Sequence, residues 1–129
     1  MNMGTVFKRV VRREEFDRDL KRLLRRFRSL EEDLATLVRT QLNIYHKLHV
    51  DNGGIFRLTG LPFEVPQVFK VKKFACKALK GRGAKSGIRV IYAYYAETDT
   101  VELVEIYFKA DQENEDRRRL HRLYSKALY

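Results

Sequence analysis

Ile88-Arg89-Val90-Ile91-Tyr92-Ala93-Tyr94-Tyr95-Ala96, then Glu97-Thr98-Asp99-Thr100, then Val101-Glu102-Leu103-Val104-Glu105-Ile106-Tyr107-Phe108-Lys109 is the stretch that decides the fold. Two runs rich in Val, Ile and Tyr flank four turn-forming residues, which predicts an antiparallel hairpin of two strong strands. Immediately upstream, Lys80 to Gly87 is a basic, glycine-rich loop. Before it, a strand opens at Val68, with Phe69 and Val71 on one side and Lys70 and Lys72 on the other. The Lys72-Lys73 doublet shifts the phase, because Phe74, Cys76 and Ala78 continue the apolar side. A β-bulge there accounts for the shift and leaves Lys77 beside Lys70 and Lys72. Phe56 to Pro66 reads as irregular, punctuated by Gly60-Leu61-Pro62.

The N-terminal half is helical in pattern. After a short first strand over Thr5 to Val11, Phe16, Leu20, Leu23, Leu24 and Phe27 form an apolar stripe on a helix from about Glu14 to Arg28. Arg18, Lys21, Arg22, Arg25, Arg26 and Arg28 cover much of its other side, as a solvated face or as a contribution to polyanion binding. Ser29-Leu30-Glu31-Glu32 matches a capping box, so a second helix is expected from Ser29 to about His46. Asp51 to Gly54 then turns the chain. A last helix follows Asp111, with acids in its first turn and an apolar face of Leu120, Leu123, Tyr124, Ala127 and Leu128. The predicted order is β-α-α-β-β-β-α. It implies an α+β fold in which a helical hairpin packs on a mainly antiparallel sheet, as one domain over residues 1–129.

Composition bounds the function. Hydrophobic residues make up 44% and aromatics 12% of the chain, enough for a core despite the charge. The formal net charge of +10 favours a polyanionic partner. The single cysteine, Cys76, excludes an internal disulfide and reads as a small buried hydrophobe. With neither an apolar span nor an N-terminal signal core, the cytoplasm is the expected location, without membrane attachment.

The most informative feature is a gap. From Val65 to Ala96 there is no Asp or Glu, yet the stretch carries Lys70, Lys72, Lys73, Lys77, Lys80, Arg82, Lys85 and Arg89. One sign of charge concentrated on a sheet costs stability, which points to an anionic ligand. Aromatics lie among these cations, an arrangement typical of single-stranded nucleic-acid sites. By strand parity, Tyr107 goes with Lys109 and Tyr95 with Arg89, while the other rings read as core. Gly83-Ala84-Lys85-Ser86 is not a P-loop, because the Gly-Lys-Ser adjacency is missing. His46 and His49 lack a ligand partner at metal-binding spacing, so neither metal nor cofactor is expected.

Gly81-Arg82-Gly83-Ala84-Lys85-Ser86-Gly87-Ile88-Arg89-Val90-Ile91-Tyr92, the hairpin, and Leu103 to Asp111 together resemble the C-terminal half of the RelE/HigB toxins of the RelE/ParE superfamily. The resemblance covers about a third of the chain and is nearest the HigB-like branch. It implies the RelE-like fold and the toxin of a type II toxin–antitoxin system. Such a toxin cuts mRNA on the ribosome without a metal, inhibits translation, and is bound by a cognate antitoxin in a hetero-oligomer. It further implies that Arg89 stabilises the phosphate in the transition state. Lys70, Lys72 or Lys73 would match the family's lysines of the preceding strand, and Lys109 its terminal-strand base. The family's carboxy-terminal catalytic Tyr or His has no clear counterpart among His121, Tyr124 and Tyr129.

These residue types suit cleavage through the 2′-hydroxyl, which needs proton removal, stabilisation of a dianionic phosphorane and protonation of the leaving oxygen. We therefore expect a catalytic group of Arg89, Lys109, Lys72 and Lys70, with RNA contacts from Lys73, Lys77, Lys80, Arg82, Lys85 and Tyr107. A lysine within a basic cluster is expected to have a lowered pKa. Glu105 reads as a base or as an ion-pair partner of Lys109 or a neighbouring strand. Arg89 has a structural alternative as partner of Glu102 or Glu105. Two other readings stay open: a non-catalytic nucleic-acid-binding module of the same fold, and a ParE-like toxin that inhibits a protein such as gyrase.

Overall fold

The structure, a computed structural model, describes residues 6–125. Strand β1 (Arg9–Arg12) leads into α1 (Glu14–Leu24) and then α2 (Leu30–Leu37). A π-helical segment (Val38–Leu42) carries α2 directly into α3 (Asn43–His46). Then come β2 (Ile55–Arg57), β3 (Gln67–Val71), β4 (Ile88–Tyr95), β5 (Thr100–Phe108) and α4 (Arg117–Tyr124). The five strands form one sheet in the order β1-β5-β4-β3-β2, antiparallel except for the β1–β5 pair. The α+β architecture is the one the sequence predicts, with one added strand: β2 overlaps the start of the segment read as irregular. Thr5, Ala127 and Leu128, expected in the first strand and the last helix, lie outside the described residues.

The helical hairpin covers one face of the sheet. Phe16, Leu20 and Leu23 of α1 and Leu30, Leu34 and Leu37 of α2 pack there with Val71, Ile88, Val90, Tyr92, Leu103 and Ile106. On the other face, Leu120 and Tyr124 of α4 meet Val68, Ile91, Ala93, Val104 and Tyr107. The two faces are reconciled by a bulge in β5: Ile91 pairs with Glu105 and Tyr92 with Leu103, so Val104 is an extra residue. Val104 and Glu105 consequently both lie on the α4 side.

Three local expectations change. The bulge lies in β5, not at Lys72-Lys73, because β3 ends at Val71. Phe74 then makes only an isolated bridge to Lys85, and Cys76 is buried in a loop, not a strand. Lys77 therefore leaves the side of Lys70 and Lys72 and ion-pairs with Glu32 of α2. The capping box does not form either. Ser29 is already helical in backbone conformation, and its hydroxyl donates to Asp33 (2.7 Å) while accepting the Ala78 N–H (2.8 Å). The Lys77 N–H also donates to Asp33, so Ser29 and Asp33 clamp this loop onto α2.

Candidate nucleic-acid interface

At the C-terminal end of β3, the N-terminal end of β4 and the C-terminal end of β5, the sheet face beyond α4 carries the predicted cations. Residues paired across antiparallel strands share a face. Arg89 pairs with Tyr107, and Lys70 pairs with Ile91 on one side and Phe56 on the other. Lys72 follows β3 next to Arg89, whose Nη1 donates to the Lys72 carbonyl oxygen at 2.9 Å. Lys109 continues β5, its backbone N–H donating to the Gly87 carbonyl (2.8 Å). The fold thus brings Lys70, Lys72, Arg89, Tyr107 and Lys109 to one end of one face.

Local sequence fixes this end. Gly87 enters β4 at φ +83°, where an L side chain is strained, and a Cβ there would stand 3.2 Å from the Phe108 ring. Buried Ser86 donates its hydroxyl to the Phe74 carbonyl and accepts the Ile88 N–H. The return of the loop is therefore pinned just before Arg89. Between the two clamps, Lys80, Arg82 and Lys85 stand exposed on the loop. Lys73 lies apart from the cluster, beside the Gly53-Gly54 turn.

The acid-free stretch is partly neutralised from outside. Of its eight cations, Lys70 meets Glu115 (2.8 Å) and Lys77 meets Glu32; the other six have no carboxylate partner among the described residues. Lys70 is buried, and its pKa moves opposite to the expectation. Burial disfavours the ammonium, but contact with Glu115 and the nearness of Tyr107 outweigh it and raise the pKa. Lys70 is thus a fixed cation. Glu115 is held below the usual carboxylate range for the same reason, its own burial being outweighed by Lys70.

Tyr107 is not offered for stacking. It is buried against α4, with the Lys70 ammonium 5.8 Å from its ring centre, and its hydroxyl has no hydrogen-bond partner among the described residues. Burial raises its pKa. The exposed aromatic of this end is instead Phe56 on edge strand β2, with the Lys72 ammonium 4.9 Å from its ring centre. The sequence reading missed it because a three-residue strand has no periodicity to detect. Tyr95 lies at the opposite end of β4, opposite Thr100.

The carboxylates are structural. Glu105 pairs neither with Lys109 nor with Arg89. It is buried, which raises its pKa, and accepts the Gln112 side-chain amide (2.7 Å) and the Asp116 N–H (2.8 Å). It shapes the segment that delivers Glu115 to Lys70. Glu102 accepts the Tyr124 hydroxyl (2.7 Å) and pairs with Arg13, so it does not hold Arg89. Tyr124 is thereby committed away from the cationic end. His121 is exposed on α4, and Tyr129 lies outside the described residues.

At the other end of the sheet, a cavity of about 620 Å³ is lined by Tyr45, His46, His49, Arg57, Phe69 and Tyr94, among others. His46 Nε2 lies 2.7 Å from the hydroxyl of fully buried Tyr92. Burial, with Lys47 nearby, pushes the His46 pKa down to about 4. Among the described residues, no group of three His, Cys, Asp or Glu side chains is placed to hold a metal ion, and no helix is long and apolar enough to cross a membrane.

No family model matches the chain, and no curated protein matches it. Among solved structures, the chain is similar to the crystal structure of the archaeal RelE–RelB complex from Pyrococcus horikoshii OT3. The identity is 13%, the similarity covers 78% of this chain and 93% of that one, and the TM-score is 0.47.

Proposed function

We propose that the chain is the toxin of a type II toxin–antitoxin pair and cleaves mRNA on the ribosome, without a metal in the site. One observation carries the reading. Arg89 of β4, Lys72 just past the end of β3 and Lys109 just past the end of β5 stand together at an open end of the sheet with no carboxylate partner among the described residues. Arg89 and Lys109 belong to the segments that resemble the RelE/HigB toxins, and Lys72 lies upstream of them. A fold has no need of unpaired cations gathered at one place, whereas a phosphodiester does.

The chemistry follows from the residue types. The Arg89 fork contacts two non-bridging phosphate oxygens at once, and its hydrogen bond to the Lys72 carbonyl holds it in place. Lys70, kept charged and already partnered by Glu115, does not accept the proton. Lys72 and Lys109, free of acid partners among the described residues, are the groups available for proton transfer. An acidic antitoxin segment covers this end in the complex and blocks phosphate access.

A second reading, RNA binding without cleavage, is favoured by Tyr124, whose hydroxyl is spent on Glu102 away from the cations. One experiment separates the two. After induction in cells, primer extension locates cuts in mRNA, and end analysis of purified products identifies the chemistry. Cuts leaving a 5′-hydroxyl and a 2′,3′-cyclic or 3′-phosphate support the toxin reading. A 5′-phosphate would overturn the mechanism, and intact mRNA bound by the protein would support the second reading.

A further inference from the structure

Phe56 is 44% exposed on the face that carries the cations. Its neighbour Ile55 is buried in the core on the opposite face, so the strand has a definite orientation and Phe56 is held outward by it. Its pairing partner is Lys70, and Lys72 stands over its ring. Hydrogen-bonded strands lie about 4.8 Å apart and residues rise about 3.4 Å along each, so Phe56, in register with Ile91 through Lys70, lies about 12 Å from Arg89, two residues along β4. That is within reach of the nucleotide next to a phosphate held at Arg89. An open aromatic ring beside a row of cations is the arrangement that holds single-stranded nucleic acid, since every base has a π-face to stack. The other ring of this end, Tyr107, is buried and already covered by Lys70.

We infer that Phe56 is the stacking platform for a nucleobase of bound single-stranded RNA, one nucleotide along from the phosphate held by Arg89. The inference rests on the reading of this end as an RNA site and names a residue that sets its base preference. On binding, the base takes the ring face and Lys72 exchanges its contact with the ring for one with the adjoining phosphate. Stacking strength favours a purine at this position. A single strand that reaches Phe56 also passes the outer edge of the sheet, because among the described residues no further strand lies beyond β2.

The chain has no tryptophan, so Phe56→Trp introduces a sole indole reporter. The probes are a 2′-O-methyl adenosine hexamer, which cannot be cleaved through its blocked hydroxyl, the matching uridine hexamer, and tripolyphosphate, an anion without bases. Saturation is followed independently by anisotropy of end-labelled oligomer. The expected result is quenching by both hexamers, stronger with adenosine, and none with tripolyphosphate. Phe56→Ala and Phe56→Leu should both weaken hexamer binding by about five- to 150-fold, since stacking contributes about 1–3 kcal/mol per base. Thermal melts verify that the variants are folded. Unchanged indole emission at saturation, or a Phe56→Leu variant that binds as the parent does, would overturn the inference. Quenching without mRNA cleavage would leave the platform standing and remove the toxin mechanism. Cleavage without quenching would do the reverse.

Discussion

The helix-hairpin face of the sheet and the α4 face bury different chemistry. Against α1 and α2 the sheet presents almost only hydrocarbon: Val71, Val90, Leu103 and Ile106 meet phenylalanines and leucines, each side chain contributing about 1.5–3 kcal/mol on burial. Against α4 the apolar cluster is small, and charged groups complete it. β1 accompanies β5 only from Thr100 to Leu103, which leaves the edge of β5 beyond it without a strand. Asp19 and Arg119 fill that place. The Ile106 N–H donates to Asp19 (3.3 Å), Arg119 donates to the Val104 carbonyl (2.8 Å), and the two side chains meet at 2.7 Å. Within the α4 face there is a second contrast. Where the face is covered, every cation in contact with it has an acid; where it is open, Lys72, Arg89 and Lys109 have none among the described residues. Charges needed for folding are paired, and those left unpaired are free to bind.

The largest expected effect tests the covered part. Arg119→Ala should destabilise the protein by up to about 3–5 kcal/mol in urea unfolding, because it leaves buried Asp19 with only the exposed Arg22 as a cation and strands the edge carbonyl. Replacing Asp19 and Arg119 together by leucine should recover much of that loss. An Arg119→Ala variant as stable as the parent would break the contrast. At the open part, Arg89→Ala should leave stability nearly intact and lower cleavage by about two to three orders of magnitude, equivalent to about 3–4 kcal/mol, and Arg89→Lys should not rescue it. Folded Arg89 variants that stay fully toxic would remove the catalytic role.

A smaller effect is expected from the helix-hairpin side, where half-buried His46 meets the Tyr92 hydroxyl. Its pKa is about 4 in the fold, against 6.5 as the ordinary value. The unfolded chain therefore takes up a proton there before the folded one does. Stability from this site is full above pH 6.5 and is lost as pH falls toward 4. His46→Phe should flatten the stability profile in that window, as read by thermal melts across pH; an unchanged profile would assign the slope to other groups. The smallest effect is reserved for Lys80, Arg82 and Lys85, which are exposed and without acid partners among the described residues. Alanine at each should weaken RNA binding modestly and reduce the logarithmic salt slope by about 0.7, with little change in cleavage at saturation.

Part of the site was legible because alternation carries it. The runs around Tyr92 and Ile106 announce a hairpin, and parity along each strand groups Tyr95 with Arg89 and Tyr107 with Lys109; the register then puts Arg89 opposite Tyr107. The length of the acid-free stretch likewise marks where cations accumulate. What failed did so where a remote partner outcompeted a local one. Ser29 exchanged its capping role for contacts with Asp33 and the Ala78 N–H. Lys77 left the face predicted for it because β3 stops at Val71 and Glu32 lies near.

The amino-acid sequence by itself determined the order of the main helices and strands apart from β2, the hairpin, the net positive charge and the segment in which cations lack neighbouring acids. These follow from side-chain periodicity and composition, which act over a few residues. Only the tertiary structure decided which cations are neutralised, that Phe56 is the open ring of the cationic end, and that Tyr107 is a buried one. Glu115 reaches Lys70 across 45 positions and Arg119 reaches Asp19 across 100. Such pairs depend on how packed layers bring distant segments together, and no local spacing records that.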